Sequence, residues 1–283
     1  MPREEHPLHR LFYPGAVAII GASRSPHKFG HIQVANLLRM GFKGRIYPIN
    51  PRADEILGLK CYPSILDVPG QVDVAVITIP APKVPGAVRD CVEKGVRFVV
   101  IISSGFKEAG PEGEKLQEAM LKFVEGTDTR IVGPNTTGIL NPEASFTTTF
   151  MPIEGPVREG PVSFIVQTGL FAGILLLHIL TAERFGIAKV AGLGNKCDLS
   201  EVEVLEYLGQ DEKTGVIAMY IEGVRDGRKL MEVAREVGLD KPILVLKSGR
   251  TEAGLRAALS HTGSMVGRDE VFDAACKQCG MIR

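Results

Sequence analysis

The sequence predicts an α/β protein made of two parallel-sheet units in series, and three observations carry that prediction. Short β-branched runs alternate with glycine or proline turns and helical stretches through most of the 283 residues, which is the rhythm of strands joined by helical crossovers. The runs are mostly apolar rather than strictly alternating with polar residues, as strands covered by helices on both faces are. The rhythm breaks once, between Gly138 and Val162, where Pro142, Pro152, Pro156 and Pro161 surround three threonines in a row. Such a stretch reads as an ordered connector.

Within the first series, the run Ala-Val-Ala-Ile-Ile at 16–20 stops at Gly21, and Arg-Ile-Tyr-Pro-Ile at 45–49 stops at an Asn-Pro turn. Further strands are expected at 72–79, before Pro80, at 97–103, before Ser104-Gly105, and at 130–132, before Gly133-Pro134. Helices are expected between them at 31–40, 84–94 and 113–125, the last with its mixed charges on an outer face. After the break, strands are expected at 162–166, 189–193, 216–221 and 243–246, with helices at 170–184, 201–208 and 227–237 and a last one from about Asp269. This second unit is smaller and flavodoxin-like. A chain of this length suits two cores of average size, so the expected division is 1–145, a connector at 146–160, and 161–283.

Composition narrows the function classes. Lysine plus arginine (33) balance aspartate plus glutamate (33), so no overall field argues for nucleic acid or an anionic membrane surface, and any anion must be captured locally. Five scattered cysteines and no cleavable signal before Leu11 point to a reducing cytoplasm. The longest apolar stretch, from Leu170 to Leu180, contains Gly173 and His178 and is too short to span a bilayer. Cys276 and Cys279 have redox spacing but fall late in the last helix, away from the helix start that would lower a thiol pKa, and are read as structural. No metal site is predicted.

The first candidate site lies where strand 16–20 runs into Gly21, Ala22 and Ser23, because ligands of such sheets bind at the carboxyl ends of strands. A dinucleotide fingerprint would need glycine where Ser23 stands and an acidic residue after the second strand, where Arg52 stands instead. Arg52, with Arg24 and Lys28, suits a nucleotide carrying an extra ribose phosphate, which means coenzyme A or NADP rather than NAD; the alternative is a solvated loop with ordinary surface cations. Pro80, Ser103, Ser104 and Asn135 end the later strands on the same rim, and small or polar ends converging there predict a cleft.

The second candidate site lies in the second unit. Gln167, Thr168 and Gly169 precede the helix from Leu170, so free amides and the positive helix end favour phosphate. Ser260, His261, Thr262, Gly263 and Ser264 place a histidine among small and hydroxyl residues where a phosphoryl group fits. Glu222 follows an apolar run, where a charge needs a partner. His261 is one candidate, since a carboxylate on one ring nitrogen fixes the tautomer and frees the other as a nucleophile; a turn cap, or a pair with Arg225 or Arg228, is the other.

Seven motifs then occur in one order: Gly21-Ala22-Ser23, Ile79-Pro80-Ala81-Pro82, Gly133-Pro134-Asn135, Gln167-Thr168-Gly169, Gly192-Leu193-Gly194-Asn195-Lys196, Ile221-Glu222-Gly223 and Ser260-His261-Thr262-Gly263. In that order the chain resembles the α subunit of succinyl-CoA synthetase and, more closely, the matching part of ADP-forming acetyl-CoA synthetases, from about Phe12 onward. The resemblance implies a Rossmann-like CoA-binding domain, then a succinyl-CoA-ligase-type flavodoxin-like domain. It implies the ligation of a small carboxylic acid to CoA at the expense of ATP or GTP, through an acyl phosphate and a phosphohistidine. It implies His261 as the phosphorylated residue, Glu222 as the carboxylate that orients it, and Thr168, Gly169 and Gly263 around the phosphate. For CoA it implies Ser23, Arg24, Ser25, Pro26, Arg52, Ile102, Ser103 and Ser104, to which the strand-end reading adds Gly21, Lys28, Pro80 and Asn135. It further implies that nucleotide and Mg are handled by an ATP-grasp β-type subunit in a hetero-oligomer. Val166 stands in place of the usual serine and Thr136 in place of the usual cysteine. A non-catalytic CoA-binding or regulatory protein is the second reading, and an NADP-dependent oxidoreductase the third.

Overall fold

A computed structural model of the chain describes residues 6–167, 185–248 and 269–283. A short helix, α1 (His9–Phe12), precedes β1 (Ala16–Ile20), α2 (Phe29–Met40) and β2 (Arg45–Ile49). The hairpin β3 (Glu55–Ile56) and β4 (Leu59–Lys60) follows, then β5 (Val74–Ile77), α3 (Val84–Glu93), β6 (Phe98–Ile101), α4 (Pro111–Val124) and β7 (Arg130–Val132). The five longer strands form one parallel sheet in the order β2-β1-β5-β6-β7. Every residue of β1, β5 and β6 is buried, because helices cover both faces. Val17 and Ile19 pack with Val34 and Leu37 of α2. Ala18 and Ile20, on the opposite face, pack with Val84 and Val88 of α3 and Met120 of α4.

The second sheet is mixed. It is built from β8 (Ile139–Asn141), β9 (Phe146–Thr147), β10 (Glu159–Val166), β11 (Ile187–Gly192), β12 (Val216–Ile221) and β13 (Ile243–Lys247), in the order β13-β12-β10-β11-β8-β9. The four long strands are parallel, and β8 and β9 extend the β11 edge in antiparallel fashion. Helices α5 (Glu201–Gln210), α6 (Gly227–Val237) and α7 (Asp269–Cys279) belong to this unit. Ser200 caps α5 in a reciprocal box with Glu203, and Asp226 caps α6 through the Lys229 amide, which explains their sharp starts. Among the described residues no helix is long and apolar enough to cross a membrane.

The expected helices at 31–40, 84–94, 113–125, 201–208 and 227–237 are present with ends shifted by a few residues. The expected helix at 170–184 lies outside the described residues. The stretch read as an ordered connector contains two strands that were not expected, β8 and β9, and its three threonines are buried. Their carbonyls and neighbours are taken up by α2: Gln33 Nε2 donates to the Thr148 carbonyl at 3.0 Å, and Asn36 Nδ2 donates to the Thr149 and Met151 carbonyls at 3.2 and 2.8 Å. These strands carry no β-periodic signature of their own and form because β11 offers an open edge. The β3–β4 hairpin was also not expected; Leu57 and Gly58 turn it with φ of 52° and 79°, the paired positive values of a type I′ turn.

One buried charge pair sits in this frame. Lys189, in the middle of β11, donates to Asp211 Oδ2 at 2.7 Å with both side chains fully buried, and its ammonium lies 5.2 Å from the centre of the Tyr13 ring. Asp211 also accepts from Thr214 Oγ1 at 2.6 Å. Removing one partner strands the other without water. Lys189→Met is therefore expected to lower unfolding free energy by about 3–5 kcal/mol in urea titrations; a loss below about 1 kcal/mol would show that Asp211 finds other compensation.

Candidate functional site

Both sheets reverse their strand order at a central strand, and in such sheets the loops beyond that strand's carboxyl end diverge to opposite faces and leave a crevice. In the first sheet the reversal is at β1, flanked by β2 and β5. A cavity of about 860 Å³ lies at the carboxyl ends of these three strands, and its lining includes Gly21, Ser23, His27, Lys28, Arg52, Pro80 and Lys83. Close packing shapes its floor: a Cβ on Gly30 would come within 2.1 Å of the Gly21 carbonyl oxygen, so β1 and the start of α2 approach as only glycine allows.

The loop between them is held by its own polar atoms. Asn50 Nδ2 donates to the Ala22 carbonyl at 2.8 Å while its Oδ1 accepts from the Arg52 amide at 2.9 Å. Arg24 donates to the Arg52 carbonyl at 3.1 Å, and His31 Nδ1 lies 2.9 Å from the Ser23 carbonyl. Three cationic side chains, Lys28, Arg52 and Lys83, thus border one cavity above a glycine turn. Arg24, Ser25 and Pro26 are exposed on the loop joining Ser23 to Lys28. Lys83 and Asn50 were not anticipated from the sequence. The signal for Asn50 was its Asn-Pro turn, and that for Lys83 its place just after the Pro-Ala-Pro turn.

The remaining predicted rim residues lie at the next strand ends. Ser103 Oγ donates to the Ile79 carbonyl at 2.5 Å, and the Asn135 amide donates to the Ser103 carbonyl at 3.0 Å, with Asn135 at φ 59°. Ser104 is exposed. Ile102 is buried in the core, so it offers no side chain to the rim.

In the second sheet the reversal is at β10, flanked by β11 and β12. Here the carboxyl ends bring together Gln167 from β10, Gly194–Lys196 after β11 and Glu222–Gly223 after β12. Gln167 Oε1 accepts from the Glu222 and Gly223 amides at 2.9 and 3.3 Å. Lys196 Nζ donates to the Gly223 carbonyl at 2.6 Å and to Glu201 Oε2 at 2.7 Å. Gln167, Lys196, Glu201 and Glu222 are all buried. Burial pushes the Lys196 pKa down, and the Glu201 carboxylate acts against that. Arg225, one of the partners considered for Glu222, donates to the Cys197 carbonyl at 3.1 Å. Thr168, Gly169, His261 and Gly263 lie outside the described residues. Among the described residues no cluster of histidine, cysteine and carboxylate could hold a metal. Cys276 and Cys279 are buried, and burial pushes the Cys276 thiol up to about 11, which keeps it out of thiolate chemistry at neutral pH.

One loop joins the two regions. The Cys197 amide donates to the Gly133 carbonyl, the Asn195 amide to the Pro134 carbonyl, and Thr136 Oγ1 to the Gly192 carbonyl at 2.7 Å. Asn195 Nδ2 donates to Glu108 Oε2 at 2.5 Å, while Glu108 Oε1 accepts from the Gly105 and Phe106 amides at 2.7 and 3.1 Å. Residues 133–138 and 192–197 therefore bind the end of the first sheet to the end of the second.

Two family descriptions match this chain. Residues 15–142 match the family described as CoA binding domain, and residues 159–283 match the succinyl-CoA ligase like flavodoxin domain. The chain belongs to the NDP-forming acyl-CoA synthetase family. It is 49% identical to an ADP-forming acetate–CoA ligase II of Archaeoglobus fulgidus over 98% of its own length and 41% of that protein. It is 44% identical to the α subunit of an ADP-forming acetate–CoA ligase I of Pyrococcus furiosus, over 98% of its own length and 60% of that subunit. Among solved structures it superimposes with a TM-score of 0.92 on a Ca. Korarchaeum cryptofilum dinucleotide-forming acetyl-coenzyme A synthetase 1 in complex with phosphate and ADP, at 46% identity, covering 97% of this chain and 59% of that one. The chain thus spans about 40–60% of the length of these relatives. For this family member, the interlock between the sheets predicts a local effect of losing Glu108. Glu108→Ala takes the acceptor from the Gly105 and Phe106 amides and leaves Asn195 Nδ2 with Gln117 Oε1 at 3.3 Å, and is expected to lower stability by about 1–3 kcal/mol. Hydrogen exchange should quicken at Gly105 and Phe106; unchanged exchange at both amides would refute the assignment.

Proposed function

We propose that this chain is the CoA-binding, phosphohistidine-carrying α-type part of an NDP-forming acid–CoA ligase. The observation that carries the reading is the pairing of two strand-reversal crevices through one loop: a cation-bordered cavity at the end of the first sheet, and the Gln167–Glu222–Lys196 cluster at the end of the second. CoA occupies the first, with Lys28, Arg52 and Lys83 facing its phosphates and the Gly21–Ser23 turn allowing close backbone approach. Arg24, Ser25, Pro26 and Pro80 extend that surface. The thiol end runs toward Ser103, Ser104 and Asn135, where the loop 192–197 crosses from the other sheet.

The chemistry proceeds by two phosphoryl exchanges. Inorganic phosphate displaces CoA from acyl-CoA to give acyl phosphate and CoA thiol. The acyl phosphate then gives its phosphoryl group to the His261 ring: the bond from phosphorus to the acyl oxygen breaks, a phosphorus–nitrogen bond forms, and the carboxylate leaves. NDP takes the group from phosphohistidine to become NTP, and all steps run in reverse for acyl-CoA synthesis. Glu222 holds the imidazole in the reactive tautomer, and the amides of Thr168, Gly169 and Gly263 receive the phosphate. Nucleotide and its Mg come through an ATP-grasp β-type partner. Several relatives are named as α subunits, which supports that arrangement, and the five free cysteines fit a reducing cytoplasm.

Incubation with acetyl [32P]phosphate is expected to put acid-labile, alkali-stable label on the wild-type chain and none on His261→Asn; label on the asparagine variant would refute the assignment, and no label on either would favour a CoA-binding regulator. Separately, Arg52→Ala is expected to weaken CoA about tenfold, about 1.4 kcal/mol, and NADPH should not compete with CoA in a titration. Competition by NADPH would return the oxidoreductase reading.

A further inference from the structure

The Glu222–Gly223 turn is gripped from two sides by groups that belong to different strands. From β10, Gln167 Oε1 takes both amides of the turn, at 2.9 and 3.3 Å. From beyond β11, Lys196 Nζ reaches the Gly223 carbonyl at 2.6 Å. Strand β10 separates β11 from β12 in the sheet, so Lys196 spans the central strand, a distance that calls for one of the longest unbranched side chains. Its backbone is committed to this reach, with φ at 51° in the left-handed region, where a non-glycine residue persists only if its surroundings enforce it.

A buried ion pair with Glu201 would by itself explain a lysine here, but not its geometry. Charge neutralisation of Glu201, 2.7 Å away, needs no contact with the turn, and an apolar pair of similar volume commonly serves stability as well. The ammonium instead divides its donors between a helix-start carboxylate and the peptide next to Glu222. Two buried carboxylates, Glu201 and Glu222, share the field of this one cation, with Arg225 also near.

We infer that Lys196 is a positioning residue for phosphoryl transfer, clamping the turn that carries Glu222 between the end of β10 and the start of α5. The inference rests on the reading that Glu222 orients a phosphorylated histidine. Displacing the turn by even a fraction of an ångström misdirects the carboxylate, and transfer slows without loss of acyl phosphate binding.

The test uses the whole chain and acetyl [32P]phosphate. Lys196→Gln with Glu201→Gln removes both charges together, and the shorter amide does not reach Gly223. The double variant is expected to label at least tenfold more slowly at saturation, with half-saturating acetyl phosphate and CoA affinity close to wild type. Lys189→Met, which breaks a buried ion pair away from the turn, is the control for lost stability and is expected to label at nearly the wild-type rate. Wild-type labelling by the double variant, or an equal loss in Lys189→Met, overturns the inference. If the double variant melts early, amide exchange at Glu222 and Gly223 in Lys196→Gln decides it: faster exchange confined to the turn supports the clamp, and unchanged exchange overturns it. A wild-type chain that takes no label at all sinks the underlying site reading, and the clamp falls with it, whereas labelled wild type with unaffected variants sinks the clamp alone.

Discussion

Everything described depends on the hydrogen-bonded interlock between residues 131–138 and 192–199. Each sheet ends there in a bare set of carboxyl-terminal loops, and loops of that kind leave peptide groups that must find partners once buried. They find them in each other: Leu199 bonds to Ile131, Cys197 to Gly133, Asn195 to Pro134 and Gly192 to Gly138. Gly194 makes the approach possible, since a Cβ there would come within 2.2 Å of the Pro134 carbonyl oxygen. The site is therefore the place where two incomplete rims complete one another.

Polar side chains extend the interlock. Arg130 grips Asp198 through Nε at 3.0 Å and Glu203 at 2.7 Å, tying the start of β7 to the start of α5. Asn195 and Lys196 are adjacent in sequence yet serve opposite regions, one bonded to Glu108 beside the first rim and the other to Gly223 beside the second. This loop therefore bonds to both rims at once.

Much of this was legible in the sequence. The parallel strands stood out because burial on both faces forces continuous apolar runs, as in Ala16–Ile20 and Val74–Ile77. The rim residues Gly21, Ser23, Arg52 and Pro80 stood out because turn chemistry and charge at a strand end are local signals. What escaped notice depended on distant partners. Strands Ile139–Asn141 and Phe146–Thr147 exist only because β11 has an edge to fill, and nothing in their own spacing announces a strand. Lys196 was visible within a motif, but its contact is with a carbonyl 27 residues away in the chain. Lys189 stands at the start of an expected strand, but its charge pair shows only once that strand is seen to be buried on both faces.

The route of the chain between the two sheets has a consequence for inheritance. Residues 139–153 supply two strands to the second sheet while their backbone is held by Gln33 and Asn36 of the first unit. Recombination at this point would hand a recipient either a sheet with its outer edge stripped or a helix with two orphaned amides. A cut at this point therefore leaves neither half whole.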